Sequence, residues 1–460
     1  MSSGPVLSAK LSLEPLDRRD LLSVYTWTGM VNTDAANMSN WLVMQEMIPG
    51  EPPPPPPGLP DGDDELIFGP MAFNSRDCVG LTSVTDSFAA VCIQSGYAGT
   101  VALGESLTFG LFDLASGAIS QPTSNTDLSI TGTFTWTGGT LNNTPSMATV
   151  NVYGGGAFTL PASSALTTGS TLNFSSIGGA SVTNITGAGN LILNGANPNA
   201  IFVDNNATVT QQSTGDTLKG LNSVTKTLVL NQGTWGYIGY GDKTEELRVV
   251  NNAGRFYISG PNTGFVTVKL RPGDANVPAY AQGNNPNAKL EIMATCELDV
   301  VGSKVEITGG EVWLIGNSLT GQNQEAYITG NYSMNNGTIN FGPPVVVETG
   351  KVWVTFLVTG DVHWSGGHFN PGVNCEPNTP AGRNNWQITG TMTVDAMQPN
   401  KPTINPVPQF LPAGQQPIGT WSVISADKIE GNGDPGIPVG WFLLPEKDAG
   451  GVVRGYSVKK

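Results

Sequence analysis

Between Asp127 and Trp136 the chain alternates strictly, with Leu128, Ile130, Phe134 and Trp136 on one side and serines and threonines on the other. A period of two is the mark of a half-buried strand. Short apolar runs of the same kind recur at Thr149–Val152, Thr171–Phe174, Ser181–Ile185, Ile201–Val203, Thr227–Leu230, Leu247–Val250, Leu290–Ile292, Val352–Val358 and Ile388–Val394. Gly, Ser and Asn break them apart. No amphipathic helical stretch of about ten residues or more stands out after position 30. The chain therefore reads as all-β.

A short phrase organises these runs: an apolar residue, two small or polar residues, Gly, one residue, then a second apolar residue. It occurs at Trp136–Leu141, Leu230–Trp235, Ile307–Val312, Met334–Ile339 and Trp364–Phe369. The last three copies begin about 27 and about 30 residues apart, a period typical of stacked repeats. A glycine just before the second apolar residue suggests a bend where a Cβ would be in the way. An antiparallel sandwich gives no reason for one turn to recur at this interval, whereas a coil whose rungs stack in register does. One rung cannot stand alone, because neighbouring rungs must cover each other's faces and edges. The expected fold is a right-handed parallel β-helix, or β-solenoid, with a short N-terminal segment and a non-repeat C-terminal β cap. Its divisions are an N-terminal segment over 1–24, a cap over 25–70, the solenoid over 71–400, and a proline-rich link with a closing cap over 401–460.

Glycine supplies 59 of the 460 residues and charged residues only 12%. That share of charge is about half the usual one. The net charge is −15, which argues against binding a nucleic-acid backbone, since that needs a basic stripe. No apolar run is long enough to span a membrane as a helix. The first 20 residues also lack the apolar centre of an ordinary secretory signal. None of the four cysteines, Cys78, Cys92, Cys296 and Cys375, forms a Cys-x-x-Cys pair. Cys78 and Cys92 are either a disulfide pair or two buried thiols; the other two are expected to be unpaired.

Leu13-Glu14-Pro15-Leu16, followed by Arg18, Arg19, Leu21, Leu22 and Ser23, resembles the Leu-Glu-Pro-Leu-type motif that heads many planctomycete surface and secreted proteins. The resemblance implies routing to the cell envelope. Thr26–Gly29, then Asn40-Trp41, then Gly62–Phe68 is similar to the opening of autotransporter-type β-helix passengers, here stretched by the prolines from Pro52 to Pro57. Polyproline stays extended and cannot donate ladder bonds, so this run reads as an exposed loop on the cap. Pro402, Pro406, Pro408, Pro412 and Pro417 break up a stretch that reads as a link rather than rungs, ahead of closing strands at Gly419–Ser425, Val439–Leu444 and Gly455–Val458. The likeness extends to the passenger and not to self-translocation.

Candidate chemistry is thin. β-helix lyases and hydrolases mount two or three carboxylates on adjacent rungs. Here the densest charged patch, Asp242, Lys243, Glu245, Glu246 and Arg248, reads as a solvated loop, as does Arg271–Asp274. His363 and His368 are the only histidines. A metal there would need Asp361 or Cys375 as a third ligand, and rim histidines are the simpler reading. Asp61–Glu65 is acidic but lacks the pattern of a Ca²⁺ loop. Gly431–Gly436 matches a dinucleotide fingerprint by letter, yet Pro435 excludes the helix it requires. Trp235, Tyr237, Tyr240, Trp313, Trp353 and Trp364 would form a sugar-stacking strip if they faced outward, and are core residues if they do not. The expectation is an exported cell-surface or extracellular protein with a structural or adhesive role and no catalytic, cofactor or metal site. Its partners would be envelope components, other surface proteins or polysaccharide. A polysaccharide lyase or hydrolase is the first alternative and a glycan-binding module the second.

Overall fold

Strands follow one another around three faces, and each pairs in parallel with the strand one rung earlier on the same face. The computed structural model describes residues 23–44, 57–70, 72, 77–121, 126–141, 148–177, 179–204, 206–212, 218–220, 225–239, 241–260, 265–316, 324–342, 345–347, 350–374, 383–396, 401–409 and 419–460. The N-terminal motif up to Leu22, Pro52 to Pro56, Tyr240, Cys375, Pro412 and Pro417 lie outside them.

The first face starts at Val24–Trp27, passes through Glu65–Phe68, and ends at Thr403–Ile404. Along it, Trp136 is the ladder partner of Phe158, and Trp235 of Phe256. The second face carries an in-register column from Leu128 through Val150, Leu172, Ile201, Leu228, Val249, Tyr280, Val305, Tyr332 and Val362 to Met392. The third face begins as a separate seven-stranded sheet ending at Leu218–Gly220. It continues through the Glu246 amide, which donates to the Leu218 carbonyl at 2.9 Å, into Lys243–Glu245 and Val266–Leu270. Side chains alternate in and out on every face, so the inward set makes one continuous core. Among the described residues there is no α-helix. The chain is an all-β parallel β-helix.

The repeated phrase turns at the corners. Ile307, Met334 and Trp364 are successive ladder partners on the second face, and Val312, Ile339 and Phe369 are successive partners on the first. The glycine between them stacks on its counterpart: the Gly310 carbonyl accepts from the Thr338 amide at 2.9 Å, and the Gly337 carbonyl from the His368 amide at 2.8 Å. Gly310, Gly337 and Gly367 hold φ of 70°, 94° and 88°. A Cβ on Gly367 would meet the Gly337 carbonyl oxygen at 2.5 Å. The phrase is not confined to one corner. Trp136–Leu141 turns from the first face to the third, as does a further copy at Leu114–Ile119.

Both ends are closed by antiparallel strands. Trp41–Met44 pairs antiparallel with Val24–Trp27, and the Trp27 and Trp41 rings meet at 4.9 Å. The buried Asn40 side chain accepts from the Val31 amide at 2.9 Å and donates to the Asp34 carbonyl at 2.9 Å, which fixes the loop between these strands. At the other end Thr420–Gly431 continues the parallel ladder and then pairs antiparallel with Val453–Lys459, which in turn pairs with Phe442–Lys447. The proline-rich stretch differs from its reading as a link. Thr403–Ile404 and Val407–Gln409 are rung strands, because Thr403, Asn405 and Val407, set between the prolines, supply the amide donors.

Candidate functional site

The densest charged patch of the sequence is split by the coil into three environments. Lys243 and Glu245 point inward and are fully buried, because they occupy the inward ladder positions next to Val268 and Leu270. Glu245 accepts from Gln211 Nε2 at 2.8 Å and from the Leu218 amide at 2.5 Å. Burial lowers the Lys243 ammonium from its ordinary range, with Glu245 opposing that shift. Asp242 stands at the third face's outer side, 2.7 Å from Lys269 Nζ. The hydrogen bond from that ammonium holds the Asp242 carboxyl below the usual range and raises Lys269 in return. Arg248 faces outward on the second face.

Next to the Asp242–Lys269 pair, polar groups bridge rung to rung. Arg271 Nη2 donates to Asp299 Oδ2 at 2.7 Å, and Nη1 to the Asp299 carbonyl at 2.9 Å. Glu297 accepts from Thr267 Oγ1 at 2.9 Å on one side and from Thr329 Oγ1 on the other. On the first face Arg255 pairs with Glu291 and lies over the Tyr257 ring at 4.7 Å. Each of these acids is held by a donor on an adjoining rung. Asp274, read with Arg271 as a loop, is an exposed turn residue that accepts from the Asn276 amide.

The remaining candidates separate in the same way. His363 sits outward on the second face and His368 on the first, where its Nδ1 bonds Thr403 Oγ1. Asp361 Oδ1 accepts from the Thr391 amide at 2.9 Å. Among the described residues no three His, Cys, Asp or Glu side chains converge as a metal site. Asp64 turns inward and its carboxylate accepts from the Ser23 and Asp61 amides, so the acidic run ties down the N-terminal cap; burial raises its pKa. Gly431, with φ of 137°, ends a strand against the Val394 carbonyl. Trp235, Tyr237 and Trp364 are fully buried, whereas Trp313 is half-buried on the outer side beneath Lys289. Cys78, Cys92 and Cys296 are free thiols, with Cys78 inward on the third face and Cys92 outward on the first.

A concave site that the motifs do not mark lies on the outer side of the second face. It is a groove of about 500 Å³ across three consecutive rungs. Phe202, Val229 and Val250, ladder partners one above another, make its floor. Asn231 and Asn252 line one flank, with Asn252 Nδ2 donating to Asn231 Oδ1 at 2.9 Å. Asn199, Thr227 and Arg248 line the other. The sequence does carry a signal for it. In Ile201–Val203, Leu228–Leu230 and Val249–Val250 the alternation lapses, so apolar side chains occupy the outward position as well. A continuous apolar run of this length fits a strand buried on both faces equally well. This lining suits binding: it combines apolar surface, amides, hydroxyls and one guanidinium.

No family model matches this chain, and no curated protein matches it.

Proposed function

We propose that this chain is an exported β-solenoid of the cell surface or extracellular space with a structural and adhesive role. The observation that carries the reading is the use made of the outward polar side chains. Thr329 and Thr359 hydroxyls bond at 2.8 Å, Ser365 bonds Asn335 at 2.8 Å, Asn370 bonds Asn340 at 2.8 Å and Thr355 bonds Asn385 at 2.7 Å, each pair 30 residues apart. Such in-register ladders spend polar groups on joining rungs along the axis, which suits a stiff spacer. The resemblance at Leu13–Ser23 supports routing to the envelope, with surface proteins or polysaccharide as partners. A fold of this kind hosts many activities, so the side chains and not the coil point to the role.

The polysaccharide lyase or hydrolase reading needs carboxylates free to exchange protons with substrate. The paired states of Asp242, Glu291 and Asp299 favour the scaffold reading over it. The test has two parts. Labelling of intact source cells with an antibody to this chain should mark the surface or the culture medium. Incubation of the purified chain with acidic and neutral polysaccharides should release neither reducing ends nor unsaturated uronate. Retention inside the cell, or turnover of any of these polymers, overturns the proposal.

A further inference from the structure

Arg248 is set apart from the other outward cations of its region. Arg255, Lys269 and Arg271 each meet a carboxylate on an adjoining rung. Arg248 has no counter-ion or hydrogen bond among the described residues, and its Nε is shut off from solvent without an acceptor. A guanidinium placed so beside a groove, in a chain of net charge −15, is a local site for an anion. Next to it the floor of Phe202, Val229 and Val250 extends over three rungs, about 10 Å at the usual strand spacing. Val229 is only 7% exposed, so the floor is recessed. The Asn231–Asn252 bond leaves the Asn231 amino group and the Asn252 carbonyl for a ligand's hydroxyls.

We propose that this groove binds an anionic saccharide. The C–H face of a sugar ring lies on Phe202, Val229 and Val250, its hydroxyls meet the asparagine amides, and its carboxylate or sulfate pairs with Arg248. A purely aliphatic acid would leave the amides without partners, and an acidic peptide is the competing occupant that the titration below tests. The volume falls in the range usual for small-ligand sites. This inference concerns the groove alone and holds whether or not the chain serves as a surface scaffold.

The experiment is calorimetric titration of the full chain with trigalacturonate, a sulfated galactose trisaccharide, the neutral galactose trisaccharide and an acidic hexapeptide. One or both anionic sugars should bind, at least tenfold tighter than the neutral sugar and the peptide. Binding of only the uronate, or only the sulfated sugar, identifies which anion Arg248 takes. Arg248→Gln should weaken that binding at least tenfold while the melting temperature is kept, and Arg248→Lys should fall between. Asn231→Ala provides a second variant, expected to weaken the anionic and neutral sugars alike. The proposal is overturned if no anionic sugar binds, if the neutral sugar or the peptide binds as tightly, or if a folded Arg248→Gln binds like the parent.

Discussion

Gln211 donates from Nε2 to Oε1 of Glu245 at 2.8 Å, and both side chains are fully buried inside the coil. Gln211 stands in a ladder position between Ile185 and Tyr237, so an amide replaces an apolar knob there. The pair ties the first face to the third, and Glu245 also holds the Leu218 amide at the start of its rung. Replacing Glu245 with Leu takes the acceptor from both donors, and each buried unmatched donor costs about 1–3 kcal/mol. The variant should unfold at lower urea, and hydrogen exchange at the Leu218 amide should quicken. An unchanged Leu218 exchange rate would refute the role given to this carboxylate.

Stacked corner glycines predict a graded cost for a methyl group. Gly337 has φ of 94°, and its Cβ would come within 2.8 Å of the Gly310 oxygen. Gly451 has φ of 81° but nothing within 4 Å of the same atom. Gly451→Ala should therefore cost only the left-handed backbone penalty, about 1–2 kcal/mol. Gly337→Ala should cost more, because the adjoining rung must shift as well. Equal losses in a paired denaturation measurement would remove the steric part of the argument.

Trp386 is the hub of the late rungs. Its ring stacks on Phe356 at 5.7 Å and meets Tyr332, Trp364 and Phe369 at 5.8, 5.6 and 5.5 Å. Truncating a buried tryptophan to alanine costs about 3–5 kcal/mol. Since repeat arrays lose stability locally, the damage should centre on the rungs around Trp386. Limited proteolysis of Trp386→Ala should cut near these rungs first, while the region around Trp136 stays protected. Uniform digestion along the chain would contradict a locally organised core.

Thiol reactivity should follow the faces. Burial pushes the Cys78 thiol well above its ordinary value, with Asp34 adding to it, and pushes Cys296 up to about 12 against the opposing hydrogen bond from the Gly260 amide. Cys92 is also raised, by partial burial and then by Asp113 and Glu65, but it lies on the outer side. A raised thiol pKa means less thiolate at a given pH, so alkylation should be slow at pH 8 and accelerate as pH rises. Peptide mapping after brief alkylation of the native protein should find Cys92 modified ahead of Cys78 and Cys296. Preferential labelling of Cys78 would contradict its inward placement.

Much of the coil was legible because its rules are local. The phrase at Ile307, Met334 and Trp364 encodes corner and register together, since residues that begin equivalent turns must stack. The alternation over Asp127–Trp136 marks strand but not its extent: a corner at residues 131–133 splits it, with Asp127–Ile130 on the second face and Phe134–Trp136 on the first, because alternation can run on through a turn. The same logic hid the groove. A run such as Leu228–Leu230 fits a strand buried on both faces as well as one bearing an outward apolar residue, and no local feature separates the two. The charged patch at Asp242–Arg248 reads in sequence as one solvated loop but is not one, for a related reason: alternation around a corner at Glu246 sends adjacent residues into the core, onto the third face and onto the second.

By itself, then, the sequence determined that this chain is all-β, that its rungs coil in parallel, and where many of its glycine corners fall, because period-two alternation and backbone clashes act within a few residues. Only the tertiary structure decided which side chains share a rung neighbour. That Arg271 finds Asp299 while Arg248 finds no acid among the described residues, and that Phe202, Val229 and Val250 line up, depends on rung lengths. Those lengths vary with the loops between strands, and pairing across rungs is a long-range property that no short window of sequence contains.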